Sequence, residues 1–388
     1  MSIRLGNICG FQSGGTPSKS NKEYFGGNIP WITTTALNGA FIDENDAIDW
    51  ITEKAIAESA AKIVPANSIL IGTRVGIGKT AVNRIPMSTS QDIISLIGLD
   101  EKTWDKNYLC KFLQSKSGYL NSQARGATIK GIKIDVLSSL EVPEISIDEQ
   151  KSIADSLDRV KHIIASRKKE IDLFDNLIKA RFVEMFGHPD LNEKKWDVYK
   201  LGTLCKVSSS RRIHQNELSA EGIPFLRISD LIGRIETGTS ESGLFIPITR
   251  YNELKDRGMV PKAGDILLTA RGTLGRCYII KSADKFYFQD GMITWLSDFD
   301  ERITANYLAF LFSVSCFRKQ IDSLQAGTTV AYLSISMTQM LNVMLPPLES
   351  QNRFTDFIKQ VDKSKVAVQK ALKETQILFD SLMQKYFG

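Results

Sequence analysis

Two long stretches of the chain, 148–186 and 348–387, contain neither glycine nor proline and carry hydrophobic residues at intervals of seven. A seven-residue repeat sustained over several heptads predicts a helix that packs against a partner helix as a coiled coil. We therefore predict long helices at 146–187 and 347–388, which pair with each other. The positions predicted to face the partner are Leu157, Val160, Ile164, Ile171, Phe174 and Ile178 in the first helix, and Ile358, Val361, Val368, Leu372, Phe379 and Leu382 in the second.

Both ends of the first helix carry capping signals. Ser146 and Glu149 have the spacing of a capping box, in which each side chain satisfies a free backbone donor of the first turn. Gly187 can adopt the left-handed conformation that ends a helix, and Pro189 cannot continue it. A few polar residues interrupt the two hydrophobic stripes, and we expect them to fix the register of the pair at some cost in stability. These residues are Arg167, Arg181, Lys365 and Thr375.

Each long helix follows a segment of short runs rich in Ile, Val and Thr between Gly, Pro and Asn, which is the pattern of strands and turns. The first segment supplies "PWITTTAL", "SILIGTRV", "TAVNRI" and "DIISLIGL", and the second supplies "PFLRISDL", "DILLTARG", "RCYIIK" and "MITWLS". A shorter helix is predicted after each set of strands, near 107–124 and 305–324. The sequence thus predicts an α+β fold with two similar domains, 1–145 and 188–346, each followed by its long helix.

The second half of the chain repeats the first. Phe186-Gly187 recurs 201 residues later as Phe387-Gly388, and "SILIGTRVGIGK" corresponds to "DILLTARGTLGR". The two long helices could pair parallel or antiparallel. If each helix leaves its own domain in the same direction, antiparallel pairing relates the two halves by a pseudo-twofold axis, and we predict this antiparallel coiled coil. In that arrangement the helix ending must be present twice, because each domain carries its own half of the spacer.

Composition excludes several classes of protein. No apolar run approaches the ~20 residues of a membrane-spanning helix, and "MSIRLGNICGF" lacks the pattern of a signal peptide. We therefore expect a cytoplasmic protein with no membrane contact. The five cysteines are scattered without the spacing of a zinc site or a disulfide framework, so we expect buried thiols and no bound metal.

The formal net charge is only +5, but the basic residues are unevenly distributed. The windows 106–134, 59–91 and 198–216 each hold several Lys and Arg residues and no Asp or Glu. Such windows can place cations along one surface, where they neutralise the phosphates of a nucleic acid. Polyanion binding is therefore predicted, with ordinary solvated loops as the alternative.

Two segments resemble catalytic motifs incompletely. "TRVGIGKT" ends as a phosphate-binding loop does, but the pattern requires glycine where Thr73 stands, and the repeat copy "ARGTLGRC" has no lysine. We therefore predict a strand-turn-strand at this place. "HPDLNEKK" holds the acids and lysine of a metal-dependent nuclease, but in a segment expected to be a polar turn. Because the three histidines are also scattered along the chain, we predict a protein that binds rather than catalyses.

The segments "SGGTPSKSNKEYFGGNIPWIT", "QARGATIKGI" and "VPEISIDEQKSIADSLD", in a chain that repeats the order of domain and helix, resemble the specificity subunit of type I restriction-modification systems. The resemblance covers the whole chain. It implies that each domain reads one half of a split double-stranded DNA target, and that the paired helices act as a ruler and dock two methyltransferase subunits. Restriction-translocase subunits would join that complex. S-adenosylmethionine, ATP and Mg would be used by those partners, and no cofactor is expected on this chain.

The second domain departs from the first, since "SSSRRIHQNELSAEGIPFLRI" replaces the Gly-Thr-Pro opening, so we expect two different half-sites. Arg, Asn, Gln, Ser and Thr side chains can pair with base edges, although each candidate could instead contact a phosphate. The candidates for DNA contact are Thr16, Ser18, Lys19, Thr33, Thr34, Arg74, Lys79, Arg125 and Lys130 in the first domain, and Arg211, Arg212, His214, Arg227, Arg271, Arg276, Thr328 and Tyr332 in the second.

Two other functions stay open from the sequence. The first is a coiled-coil scaffold that binds proteins without reading DNA, which would leave random double-stranded DNA unbound at low salt. The second is a phosphate-loop enzyme, whose nucleotide turnover would depend on Lys79.

Overall fold

The structure, a computed structural model, describes residues 1–38, 41–126, 131–188, 190–239, 242–325 and 331–388. Two units can be distinguished. Unit 1 comprises Met1–Lys169 and Gln369–Gly388, and unit 2 comprises Glu170–Val368. The border between the units crosses both long helices. Each unit therefore contains an α+β domain, the start of the helix that follows this domain, and the end of the other long helix.

The first domain and its helix hold the following elements. The strands are β1 (Ser2–Arg4), β2 (Gly10–Ser13), β3 (Phe25–Ile32), β4 (Phe41–Ile42), β5 (Asp49–Ile51), β6 (Ile63–Val64), β7 (Ile69–Gly72), β8 (Thr80–Asn83), β9 (Met87–Thr89), β10 (Ile93–Ile97) and β11 (Glu141–Pro143). The helices are α1 (Glu53–Glu58), α2 (Lys106–Ser115), α3 (Ser117–Gln123), α4 (Ile134–Ser138) and α5 (Ile147–Phe186).

The second domain and its helix repeat this order with fewer strands described. The strands are β12 (Val198–Lys200), β13 (Lys206–Ser208), β14 (Ile223–Leu226), β15 (Phe245–Ile246), β16 (Ile266–Thr269), β17 (Cys277–Ile279), β18 (Tyr287–Phe288), β19 (Ile293–Ser297) and β20 (Asn342–Met344). The helices are α6 (Ile228–Thr237), α7 (Ile248–Asp256), α8 (Ala305–Ser313), α9 (Ser315–Leu324), α10 (Ile335–Gln339) and α11 (Leu348–Phe387).

The predicted strands form the sheets of each domain. In unit 1 the strand orders are β2-β10-β7-β8-β4 and β5-β3-β9-β6, and in unit 2 they are β13-β19-β16-β17 and β15-β14-β18. Strand β7 pairs antiparallel with β8 and β10, and β16 pairs antiparallel with β17 and β19. All four residues of β7 and of β16 are buried, because both faces of each strand are covered. The α+β prediction is therefore confirmed, and the turn after β7 corresponds to the turn after β16.

The segment "PFLRISDL" is only partly a strand, contrary to the prediction. Strand β14 ends at Leu226, and α6 begins at Ile228. The backbone N–H of Arg227 donates a hydrogen bond of 2.9 Å to the Asp230 carboxylate, which caps the helix. The apolar residues of this segment suggested a longer strand, but the capping residue Asp230 starts a helix instead.

The helices predicted at 107–124 and 305–324 are each divided in two. The first is interrupted at Lys116, whose ψ of 3° departs from helical geometry, and the second at Val314, which is extended with ψ of 155°. Neither break contains glycine or proline. The sequence pattern therefore carries no signal for either interruption.

The long helices have the predicted limits. The Ser146 hydroxyl accepts a hydrogen bond of 3.3 Å from the backbone N–H of Glu149 at the start of α5. At the end of α5, Gly187 has a φ of 80°, and its N–H donates to the Val183 carbonyl at 2.8 Å. The predicted role of Pro189 falls outside the described residues.

The long helices pair antiparallel within each unit, as predicted. In unit 1, Leu157 lies in one hydrophobic cluster with Phe387, and ten residues further along α5 the Arg167 guanidinium donates to the Thr375 hydroxyl. In unit 2, the rings of Phe182 and Phe354 lie 5.5 Å apart, and Lys365 Nζ donates to an Asp175 carboxylate oxygen at 2.5 Å. In both units, therefore, the residue numbers rise along α5 where those of the contacting α11 residues fall, which is the mark of an antiparallel pair.

The residues of the two hydrophobic stripes are buried or half-buried at all twelve predicted positions. All four polar interruptions contact the partner helix: Arg167 donates to Thr375 and to the Ala371 carbonyl, Lys365 pairs with Asp175, and the Arg181 guanidinium lies 5.7 Å from the centroid of the Phe357 ring. Because these layers are not equivalent between the units, each polar layer has its complement at one register only. A shifted register would leave the polar groups of a layer without partners.

The last aromatic residue of each long helix fills the core of the domain in its own unit. In unit 1 the Phe387 ring lies 5.2 Å from Tyr108 and 6.1 Å from Phe112. In unit 2 the Phe186 ring lies 5.1 Å from Tyr307. Because α5 follows the first domain and ends in unit 2, whereas α11 follows the second domain and ends in unit 1, each repeat completes the core of the other.

A buried glutamine near the start of each long helix ties that helix to its domain. Gln150 and Gln351 are equivalent, fully buried, and make three hydrogen bonds each to backbone groups. A buried amide is tolerated because its donors and acceptor are satisfied. The contacts are Asp105 N–H to Gln150 Oε1 (2.9 Å), Gln150 Nε2 to the Thr103 and Ile145 carbonyls (3.0 Å each), Thr304 N–H to Gln351 Oε1 (2.8 Å), and Gln351 Nε2 to the Arg302 (2.8 Å) and Pro346 (2.9 Å) carbonyls.

Candidate nucleic-acid interface

The turn after β7 places an exposed arginine on a fixed backbone. The Thr73 N–H donates to the Asp92 carbonyl at 2.8 Å, and the Ile132 N–H donates to the Thr73 carbonyl at 2.9 Å. The next residue, Arg74, has a side chain that is 44% exposed, and its Nη1 lies 3.9 Å from Asp92 Oδ1. At that distance and exposure the carboxylate holds the guanidinium weakly. Arg74 is therefore available to an external anion.

Two further cations surround a cleft beside Arg74. Arg125 and Gly131 exchange backbone hydrogen bonds of 3.0 Å, which bring the chain on both sides of the segment 127–130 close to the turn. The cleft has a volume of about 650 Å³, and the charged residues that line it are Arg74, Arg125, Lys133 and Asp135. The predicted contacts Arg74 and Arg125 thus lie together, whereas Lys130 falls outside the described residues.

The glycines before Lys79 form a tight turn between antiparallel strands, as predicted. A phosphate-binding loop leads from a strand into a helix, but here β8 follows the turn. Gly78 has a φ of 83°, and a Cβ there would lie 2.6 Å from the Ser117 Cβ, so only glycine fits. Lys79 is exposed and lines a second cleft of about 560 Å³ together with Lys161.

The N-terminal candidates differ in accessibility. Thr16, Ser18 and Lys19 are exposed and Thr33 is half-buried, but Thr34 is buried. Thr34 starts a short helical turn and is only 6% exposed, so it is the least accessible of these candidates, and its contact with DNA stays a prediction.

The second domain has the same turn with different neighbours. The Ala270 N–H donates to the Met292 carbonyl, and the Leu333 N–H donates to the Ala270 carbonyl, both at 2.9 Å. The next residue, Arg271, is exposed, and its guanidinium lies over the Tyr332 ring at 4.9 Å from the centroid. A cation–π contact orients a guanidinium without neutralising it. Arg271 and Tyr332, both predicted contacts, thus form one group, and Thr328 falls outside the described residues.

The sequence of this chain matches the profile of the family described as "Type I restriction modification DNA specificity domain" over residues 1–173 and 193–376. The chain belongs to this family. It is a specificity subunit of a type I restriction-modification system, as the sequence resemblance predicts.

Relatives and solved structures agree with this identification. The type I restriction enzyme MjaIX specificity subunit of Methanocaldococcus jannaschii is 27% identical over 403 aligned positions, which cover 98% of this chain and 90% of the relative. The EcoR124I/EcoR124II specificity subunit of Escherichia coli is 28% identical over 207 positions, 50% of this chain and 46% of that protein. The crystal structure of the S subunit from M. genitalium gives a TM-score of 0.58 at 16% identity, with 100% and 96% of the two chains covered. A chain from a structure of type I R-M complex assembly and conformational transition gives a TM-score of 0.62 at 18% identity, with 100% and 97% covered. These two structures share the fold.

Several predicted contacts of the specificity subunit are engaged with carboxylates. Arg212 pairs with Asp290 at 2.9 Å, Arg227 lies 3.8 Å from Asp230, and Arg276 pairs with Glu236 at 2.7 Å. Arg276 is also only 28% exposed, so a DNA phosphate would have to compete with Glu236 for it. Arg211 and His214 are exposed.

The acidic neighbour of His214 is held ionised. The His214 N–H donates a hydrogen bond of 2.9 Å to the Glu217 carboxylate, and this bond, together with Arg250, holds the pKa of Glu217 below its ordinary value. The charge of Glu217 reduces the positive potential of this loop. His214 is therefore a weaker candidate for phosphate contact than Arg211.

Sequence reasoning missed cations that the fold brings together in unit 2. Arg234, Lys281 and Arg318 line a cleft of about 860 Å³ with Arg276. They come from α6, from the turn after β17 and from α9, so no local spacing in the sequence links them. Arg234 also pairs with Asp284 at 2.7 Å and stacks on Phe286, so part of this cluster supports the fold.

The basic window 106–134 contributes less to the surface than its charges suggest. Lys111 is buried and paired with Asp158, Lys106 is mostly buried beside Glu101, and the Lys116 ammonium donates to the Phe387 carbonyl at the end of α11. Three cations of this window are therefore used inside unit 1.

Within the described ranges, the structure shows no cluster of three or more His, Cys, Asp or Glu side chains arranged to hold a metal ion. The helices it describes also include none with the length and apolarity needed to cross a membrane.

Proposed function

We propose that this specificity subunit binds double-stranded DNA with both domains, that each domain reads one half of a split target, and that the subunit itself catalyses no reaction. One observation carries the proposal: both domains present an exposed arginine, Arg74 or Arg271, at the same turn on a backbone fixed from two sides. Exposed cations on fixed backbone are the groups that hold a nucleic acid. S-adenosylmethionine, ATP and Mg would then serve methyltransferase and restriction-translocase partners.

The surroundings of the two arginines support different half-sites. Gly131 and Asp92 next to Arg74 are replaced by Tyr332 and Met292 next to Arg271. Side chains of different size and charge cannot offer the same contacts to base edges. Two different sequences, one for each domain, are the expected target.

Domain exchange tests this proposal. If residues 1–140 are replaced by the corresponding region of a relative, one half of the methylated target should change and the other should stay, because each domain reads its half-site alone. Methylome sequencing of a host that carries the complete system measures both halves at once. Exchange of residues 188–340 is the matched control and should change the opposite half. A change of both halves in either chimaera contradicts independent reading.

Docking of two methyltransferase subunits is supported by exposed leucines at equivalent positions of the long helices. Leu177 of α5 is 48% exposed in unit 2, and Leu378 of α11 is 50% exposed in unit 1. Leu173, four residues before Leu177, and Ile377, directly before Leu378, are also exposed. Apolar groups exposed on an otherwise charged helix mark contact with another protein. With one such exposed leucine in each unit, each unit would bind one methyltransferase subunit.

Replacing Leu177 or Leu378 with glutamate should remove one methyltransferase subunit from the complex, and replacing both should remove two. A charge placed in an apolar contact should weaken that contact by at least ~2 kcal/mol. Mass photometry of the purified complex gives the stoichiometry directly. Lys179→Glu, an exposed substitution on α5, should leave two subunits bound. Full stoichiometry in the double variant would place docking elsewhere.

A further inference from the structure

The arginines at the two equivalent turns are kept while their partners change. The residue before each arginine, Thr73 or Ala270, is held by one hydrogen bond to each side, with lengths of 2.8 and 2.9 Å in unit 1 and 2.9 Å for both in unit 2. The two backbones therefore present Arg74 and Arg271 in the same way. The repeat has retained the position of the charge.

The side chains are supported differently. A Cβ at Gly131 would lie 3.0 Å from Arg74 Cγ, so the absence of a side chain there makes room for the arginine. The equivalent residue in unit 2 is Tyr332, whose ring lies under the Arg271 guanidinium at 4.9 Å. Asp92, 3.9 Å from Arg74, is replaced by the uncharged Met292. Different supports hold the same charge in the same place.

Such a pattern distinguishes two kinds of DNA contact. A residue that reads a base must vary when the half-site varies, whereas phosphates are the same in every sequence. We propose that Arg74 and Arg271 bind phosphates, one in each half of the target, and position the domains without reading bases. This inference rests on the proposed function, since it assumes that both domains bind DNA.

A second arginine near the turn after β16, Arg276, serves as a control for Arg271. Arg276 lies five residues after Arg271 but is paired with Glu236 at 2.7 Å. Because Glu236 already neutralises Arg276, removing Arg276 should change the number of counterions released on DNA binding very little, whereas removing Arg271 should cost one phosphate contact. The two arginines differ in availability and not in formal charge.

The experiment measures binding of the full-length chain to a pool of random-sequence DNA duplexes over a range of salt concentrations. For the wild-type chain the affinity should fall as salt rises. Arg74→Gln and Arg271→Gln should each reduce the slope of log K against log salt by about 1, and the double variant by about 2, because each lost phosphate contact releases one counterion fewer. Lysine at either position should restore the slope. Arg276→Gln should change it by less than Arg271→Gln.

Sequencing the duplexes that each variant retains gives the second readout, and the same sequences should be enriched by the wild type and by the glutamine variants. The proposal is overturned by an unchanged slope, by a shift in the enriched sequences, or by an equal effect of Arg276→Gln. If the wild type fails to bind any duplex at low salt, the proposed function itself is removed, and this outcome is distinct from the other three. Far-ultraviolet circular dichroism identifies any glutamine variant that is misfolded. In that case the lysine variants test the proposal, since they keep the positive charge and should keep the wild-type slope.

Discussion

Phe387→Ala is expected to destabilise unit 1 by about 3–5 kcal/mol, because it empties a buried aromatic site. Phe387 is 2% exposed and packs against Tyr108 and Phe112 of α2. It belongs to the second repeat in sequence and to the first domain in space. Hydrogen exchange followed by mass spectrometry should therefore show the lost protection in α2 and α3 and in the adjoining strands, not in residues 188–346.

Two substitutions serve as controls for Phe387→Ala. Ile377→Ala truncates an apolar residue of the same helix that is 59% exposed and should change stability by less than ~0.5 kcal/mol. Phe186→Ala removes the equivalent ring and should lower protection in the second domain instead. Lost protection in the second domain of Phe387→Ala would contradict the exchange of helix ends between the repeats.

Gln351→Leu should destabilise unit 2 by ~3 kcal/mol, since it removes three hydrogen bonds from buried or partly buried backbone groups and each unsatisfied group costs about 1–3 kcal/mol. The side chain holds the start of α11 against the loop before α8 through the Thr304 N–H and the Arg302 carbonyl. Leucine has nearly the same volume, so the loss reports polar contacts and not a cavity. Calorimetric unfolding measures the destabilisation, and hydrogen exchange assigns it to unit 2.

Gln360→Leu is the matched control for Gln351→Leu, because Gln360 is exposed on the same helix. It should leave unfolding unchanged to within ~0.5 kcal/mol. Gln150→Leu should reproduce the effect in unit 1. A neutral result for both buried glutamines would show that their backbone partners find other donors and acceptors in the variant.

Features set by local residues could be predicted from the sequence. The capping residues Ser146 and Gly187 set the ends of α5 as expected, because each acts on backbone groups of its own turn. The heptad stripe predicted which helix faces are buried, because seven residues are close to two helical turns. The antiparallel α5–α11 pairing was predicted from the repeat only on the condition that both helices leave their domains in the same direction, and the structure meets this condition.

Features set by residues distant in sequence could not be predicted. Lys111 counted as a surface cation in the sequence, but Asp158, 47 residues away, holds it inside unit 1. The buried glutamines were missed because nothing near them in sequence shows that the loops before α2 and α8 present backbone groups to them. The start of α6 carried a usable signal in Asp230, but the apolar residues before it resembled a longer strand.

The candidate DNA interface also has features that could be predicted from local sequence and features that could not. Exposed basic residues at the turns after β7 and β16 could be predicted from composition and glycine spacing. The residues that contact Arg74 and Arg271 could not be predicted, because Asp92 and Tyr332 approach these arginines only after the sheets have formed. The contacts predicted for Arg211, Lys19 and the other exposed candidates stay predictions.

The exchange of helix ends also constrains synthesis of the chain. A ribosome delivers Tyr108 long before Phe387, yet the two rings share one core. Until Phe387 has been synthesised and is free to fold, the first domain lacks the aromatic ring that completes its core, whereas the second domain already has its own in Phe186. The domain that is translated first is therefore the domain whose core is completed last.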